Sequence, residues 1–185
     1  MVRAKKAKVW IDIVAPKIFN EKTITKTLAS EEENFIGRTL EFPLYLLDEN
    51  KKDKFYYMAK LRIVEVNEEK KAKTTVEGIR VLKNYLEKFV TSGVASINHV
   101  KDLDIQDGKK IRVKVFVALE GKPNDRVKTT IRKEIEKFVE EKFKNYDFDF
   151  IVKNVIEDGI KNELLKTITK VYPVKVLEIK EIKVL

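Results

Sequence analysis

The sequence contains no cysteine, which excludes disulfides and thiolate metal sites. It contains one histidine, His99, so a histidine-based triad has a single member and no thiol alternative. On its alternating segment His99 reads as a structural strand residue. The six glycines stand apart, and neither a dinucleotide fingerprint nor a P-loop can be written from them. Asp102, Asp104 and Asp107-Gly108 suggest a calcium loop, but the glycine stands one position too late. No pair of carboxylates stands out for acid–base work. No apolar run approaches the length of a transmembrane helix. The basic first residues lack the apolar stretch of a signal peptide. This inventory predicts no catalytic residue, no metal site, no cofactor and no membrane partner.

What is present is charge. The chain of 185 residues carries a formal net charge of +9, unevenly spread. Residues 1–30 hold +5, 31–70 hold −3, 71–125 hold +4 and 126–185 hold +3. A localised cationic surface suits a polyanion partner, because neutralising phosphates releases counterions. Only seven of the thirty-nine basic residues are arginine, which favours backbone neutralisation by lysine over bidentate reading of bases. The same composition fits the Lys/Glu-rich surface of a heat-adapted protein. A soluble enzyme or protein-interaction module with a lysine-rich surface is therefore the competing reading.

Taken in order, the chain opens with a basic arm, residues 1–8, carrying Arg3, Lys5, Lys6 and Lys8. It has too few apolar residues to pack by itself. Residues 9–185 read as a single domain. Val9, Ile11 and Ile13 alternate with Trp10, Asp12 and Val14, which predicts a strand ending near Pro16. Trp10, the only tryptophan, reads as a core anchor, with base stacking as the alternative. Glu21 to Asn34, including the acidic run Glu31-Glu32-Glu33, reads as loop. Strands are expected from Thr39, from Phe55 to Ile63 and from Ala72 to Val76, with a helical turn at Leu44–Leu47 and a charged loop at Asp48–Lys54. Gly78 is expected to end its strand. Ile79, Leu82, Tyr85, Leu86, Phe89 and Val90 then recur at helical spacing. Asp107-Gly108 sits between two alternating runs and predicts a hairpin. Helices follow from Arg126, from Asp147 as N-cap, and from Ile160, before a last strand from Val174. This order predicts an α+β fold, a curved, mainly antiparallel sheet or barrel flanked by about four helices. Two basic clusters emerge, Lys109, Lys110, Arg112 and Lys114 on one strand, and Arg126, Lys128, Arg132 and Lys133 at one helix start.

Several of these stretches resemble a known family. Trp10 followed by Ala15-Pro16-Lys17 and Phe19-Asn20 is similar to the opening of the archaeal and eukaryotic small-subunit ribosomal protein family called S-one-e or S-three-a. Ile36-Gly37-Arg38-Thr39, Ile131-Arg132-Lys133 and Val171-Tyr172-Pro173-Val174 resemble its later motifs, in order and over nearly the whole chain. Ile79-Arg80-Val81-Leu82 departs from the family's Leu-Thr-Arg-Asp pattern, and little chain follows the closing strand. The resemblance implies a non-enzymatic, ribosome-bound cytoplasmic protein on the platform of the small subunit, near the messenger exit. Its implied partners are ribosomal RNA and neighbouring ribosomal proteins, with the messenger RNA path nearby. It adds Lys17 and Arg38 to the expected RNA contacts.

Overall fold

The computed structural model describes residues 9–29 and 35–185. The basic arm and the Glu31–Glu33 run lie outside the described residues. The fold is α+β, with eight strands, nearly all antiparallel, and five α-helices among the described residues. The chain falls into two compact units, Met1–Glu77 and Gly78–Leu185.

In the first unit, β1 (Val9–Val14) lies between β2 (Thr23–Ala29), antiparallel, and β5 (Lys71–Val81), parallel. β3 (Thr39–Pro43) pairs with β4 (Tyr57–Val66), and β4 pairs with β5. The turn α1 (Leu44–Leu47) follows β3 as expected. Ile11, Phe35, Ile63 and Ala72 form a core cluster, with Leu40 and Val66 packed against it.

That cluster decides the fate of Trp10. Successive side chains of a strand point to opposite faces. Ile11 and Ile13 are buried, so Trp10 faces away and is 61% exposed. The core-anchor expectation is corrected: the apolar cluster takes the two isoleucines, and the indole is left on the solvent face. Residues 23–29 also differ from the expected loop. Their threonines suit a pleated surface, and pairing across to β1 (Ile11 opposite Thr27, Ile13 opposite Thr25) supplies the ladder that local pattern did not reveal. Within the expected loop Asp48–Lys54, Glu49–Lys54 forms 3-10 turns, started by Asp48, whose side chain accepts from the Asn50 amide at 3.0 Å.

The second unit holds the end of β5, then α2 (Lys83–Glu87), β6 (Ala95–Asp104), β7 (Lys110–Leu119), α3 (Asp125–Phe143), α4 (Phe148–Ile156), α5 (Gly159–Thr169) and β8 (Val174–Val184). The strand order is β5-β8-β7-β6, antiparallel throughout. Ile111, Val113, Val115, Val117 and Leu119 of β7 are buried, as are Ile131, Ile135, Val139 and Phe143 of α3. α3 packs on β6 and on α5, and α5 packs on β8. The hairpin turns at Gly108 in the left-handed region (φ 71°), with the Gly108 amide donating to the Ile105 carbonyl at 3.0 Å.

The expected helix over Ile79–Val90 is mostly absent. β5 runs through Gly78 to Val81, and only Lys83–Glu87 is helical. The β-branched Ile79 sits in a ladder opposite Ile182, with Arg80 opposite Glu181. Cross-strand partners outweigh the helical spacing of the apolar residues. Gly78 does not end the strand either. It lets β8 approach, since a Cβ there would lie 2.5 Å from the Ile182 carbonyl oxygen and 3.1 Å from Lys183 Cα.

Two stability outcomes follow. Gly78→Ala must push β8 aside and is expected to cost about 1–3 kcal/mol, the usual range for overpacking. Trp10→Ala removes an exposed ring and is expected to change stability by less than about 0.5 kcal/mol. Denaturant midpoints of the two variants check both.

Candidate RNA interface

α3 is the best-defined cationic element. Asn124 caps it, its side-chain oxygen accepting from the Val127 amide at 3.0 Å. Asp125 in the first turn complements the helix dipole. Its inner face is spent on the core. Helical spacing then places Arg126, Lys133, Lys137 and Lys144 in one row on the outer face. All four are exposed, and among the described residues none has an ion-pair partner. The row spans about 27 Å at 1.5 Å per residue. Acidic neighbours are partly withdrawn from it. Glu136 and Glu140 turn to Lys101 of β6, at 2.7 Å for Glu140, and their hydrogen bonds push the Lys101 amine up to about 12. Glu134 and Glu141 flank the row.

The other expected members of the helix cluster lie elsewhere on α3. Lys128 is half-buried and ion-paired to Asp125 at 3.0 Å. Arg132 is exposed on the flank nearest His99. His99 sits on β6 beneath α3 with its Nε2 buried and without a hydrogen-bond partner. Burial is the main cause that lowers its pKa; Glu136 opposes this, while Lys101 and Arg132 add to it.

The basic strand is less free than its sequence suggests. Lys110, Arg112 and Lys114 do share one face of β7, opposite the aliphatic one. Across the ladder, however, stand Asp104, Asp102 and Glu181. Arg112 makes a two-pronged pair with Asp102, Nε to Oδ1 and Nη2 to Oδ2 both at 2.7 Å, which holds Asp102 below the usual carboxylate range. Lys114 pairs with Glu181. Only Lys110 is exposed and without an ion pair among the described residues. This face alternates in sign, so its net field is weak. It also lies across the sheet from α3, because Lys101, which reaches α3, and Asp102, which holds Arg112, are consecutive strand residues.

Lys109 stands at the hairpin turn, its Nζ 3.6 Å from Asp107 and 5.8 Å from the Phe148 ring centroid. In the first unit, Lys17 lies exposed on a 3-10 turn beside a cleft of about 380 Å³, and Arg38 is exposed just before β3. Arg3, Lys5, Lys6 and Lys8 lie outside the described residues. Among the described residues no group of carboxylate and imidazole side chains could hold a metal ion.

The chain matches the Ribosomal S3Ae family over residues 2–185. It belongs to that family. It is 33% identical to a small ribosomal subunit protein eS1 of Methanopyrus kandleri, over the whole of this chain and 89% of the relative. It is 31% identical to the protein of the same name from Saccharolobus islandicus, over 97% of this chain and 86% of the relative. The S3Ae family is a structural component of the ribosome and not an enzyme, which removes the soluble-enzyme alternative. These relatives are archaeal, in keeping with an archaeal S3Ae protein.

Two cations of the S3Ae chain's α3 row, Lys137 and Lys144, fall outside the clusters that sequence alone picks out. Projecting the helix from Arg126 at its own period finds them, since Lys144 lies five turns on. A third residue found only in the structure is Asp107. Its Oδ2 accepts from the Phe148 amide at 3.1 Å, so a hairpin acid caps α4, and Asp147, expected in that role, makes no cap bond. Asp147 instead hydrogen-bonds Asp107. That bond is the first cause that lowers Asp107 and raises Asp147, and the Phe148 amide lowers Asp107 further.

The pair gives a signed pH dependence. Asp107, depressed, stabilises above its unfolded value and loses this as pH falls. Asp147, raised, stabilises below its unfolded value, near the ordinary 3.8, and loses this as pH rises through its folded value. Asp147→Asn keeps a donor to Asp107 without the charge. Its advantage over the parent is expected to appear only as pH rises from acid toward neutral. Asp107→Ala removes the cap and is expected to cost about 1 kcal/mol. Thermal melts between pH 3 and 7 check both.

Proposed function

We propose that the protein is a structural constituent of the small ribosomal subunit that binds ribosomal RNA through the outer face of α3, at the subunit platform near the messenger exit. The observation that carries the contact is the row Arg126, Lys133, Lys137 and Lys144, exposed and without an ion pair among the described residues over about 27 Å. Family membership supports the setting, and the relatives named above carry the small subunit in their names. No described helix is long and apolar enough to cross a membrane.

The chemistry is neutralisation. The three lysines and one arginine of this row meet phosphates chiefly as point charges, so binding is directed by RNA shape and is salt-sensitive rather than base-specific. Neighbouring ribosomal proteins and the messenger path complete the proposed surroundings. Arg112 and Lys114 contribute less, because each must first leave a carboxylate.

Reversing Arg126, Lys133, Lys137 and Lys144 to glutamate together is expected to abolish co-sedimentation with small subunits in high salt. Circular dichroism should be unchanged, since none of the four is buried. On an isolated ribosomal RNA fragment, the slope of log affinity against log salt should flatten by about 0.7–0.9 for each phosphate that the variant no longer neutralises. Normal occupancy of the variant in subunits would remove α3 as the RNA surface.

A further inference from the structure

Trp10 is the largest exposed apolar side chain among the described residues, and it stands inside a regular strand rather than on a loop. Neither its fold nor the proposed α3 contact uses it. Its surroundings define what it can receive. Opposite it on β2 is Leu28, half-buried. Further along the same face of β1 come Asp12 and Val14. Asp12 faces Lys26 of β2 on one side and Lys71 of β5 on the other, and Val14 faces Lys73. The apolar surface is thus one ring and parts of Leu28 and Val14, and three exposed lysines line the same face.

A protein partner would fit this poorly. Protein interfaces are depleted of lysine and have a contiguous apolar core. A flat aromatic ring beside exposed lysines is the pattern of single-stranded nucleic-acid sites, where a base stacks on the ring and the cations follow the backbone. The ion pairs that hold these lysines are exposed, apart from the half-buried Asp12. Lys26 meets Asp12 at 3.4 Å, Lys71 meets Glu69 at 2.8 Å and Lys73 meets Glu65 at 3.2 Å. Such pairs contribute little and are readily exchanged for phosphate.

We propose that the indole of Trp10 is the stacking platform for one unpaired RNA base, with Lys26, Lys71 and Lys73 neutralising the phosphates that flank it. This rests on the reading of the protein as an RNA binder, and it adds an unpaired nucleotide as the species bound at the β1 face. Stacking would explain a solvent-facing tryptophan on a face otherwise polar, because every base offers a π-face and the ring needs no hydrogen-bond partner to hold it.

As the only tryptophan, Trp10 reports on itself. The full chain is titrated with a fluorescein-labelled oligouridylate, with an equally labelled blunt RNA duplex of the same length and with inorganic polyphosphate, following tryptophan emission and, for the two labelled RNAs, anisotropy. Emission is expected to fall in step with anisotropy on oligouridylate, and to stay level on duplex and on polyphosphate. Trp10→Ala should weaken oligouridylate binding by roughly 5- to 150-fold, the loss of one stack, and Trp10→Phe should recover most of it. Anisotropy that rises with no change in emission overturns the stacking site and leaves the α3 reading standing. Equal quenching by duplex or by polyphosphate also overturns it. No binding of either RNA overturns both readings. Loss of subunit incorporation by Trp10→Ala without quenching assigns the ring to a protein neighbour and overturns the proposal.

Discussion

The two-sided pairing of β7 is the constraint on which the second unit depends. This strand hydrogen-bonds β6 along one edge and β8 along the other, with register shifts against β8 at Lys114/Val115 and Ala118/Leu119. Its alternate residues from Ile111 to Leu119 are buried. A slip of one residue would turn Lys110, Arg112 and Lys114 into that apolar layer, and burying them without partners is costly. Register is thereby fixed at the strand on which β6 and β8 both rely. α3 then takes its place through β6, and α5 through β8. The outward direction of the α3 cations is a consequence of this layering, because the helix's apolar stripe has only one surface on which to lie.

Charge in this protein divides into two kinds. Some cations are held by carboxylates of the same chain. Arg112 and Asp102 are the best example, joined by two parallel bonds. Lys161 is another, lodged between Asp158 at 2.8 Å and Glu178 at 3.2 Å. Burial works against the charge of Lys161, yet the two acids raise its pKa all the same. Such groups hold elements together and are poorly placed to meet a ligand. Others, such as those of the outer α3 row, face solvent without an ion pair among the described residues. A helix surface offers this separation more readily than a sheet does. On a helix, acids three or four residues away can be turned to the flank; on a sheet, a facing acid lies directly across the ladder. A lysine-rich composition therefore yields a strong field only where geometry keeps the glutamates away.

Much of the fold was legible because its patterns are local. Period-two alternation placed β1, β4, β6, β7 and β8, and Asp107-Gly108 located the hairpin. Helical spacing placed α3, α4 and α5. The failures share a cause. The threonine-rich residues 23–29 carry no apolar alternation, and they become a strand because β1 needs an edge partner. Ile79 and Leu82 fit a helix by spacing, but β8 supplies a ladder for Ile79 and Arg80. Asp147 sits at the right position to cap α4, but Asp107, distant in sequence, reaches the amide first.

The sequence by itself determined the α+β class, the family and the net basic character. Each of these rests on composition, on ordered short motifs or on near-neighbour periodicity, which survive without knowledge of what packs on what. Tertiary structure alone decided which cations are free. Arg112 and Lys133 are alike as letters in a basic cluster, and only the strand opposite and the layer beneath make one a clasp and the other an open charge. It also decided the side on which Trp10 stands. A strand pattern names two faces but not which is inner, and that choice belonged to Phe35, Ile63 and Ala72, whose cluster had room for Ile11 and left the indole outside.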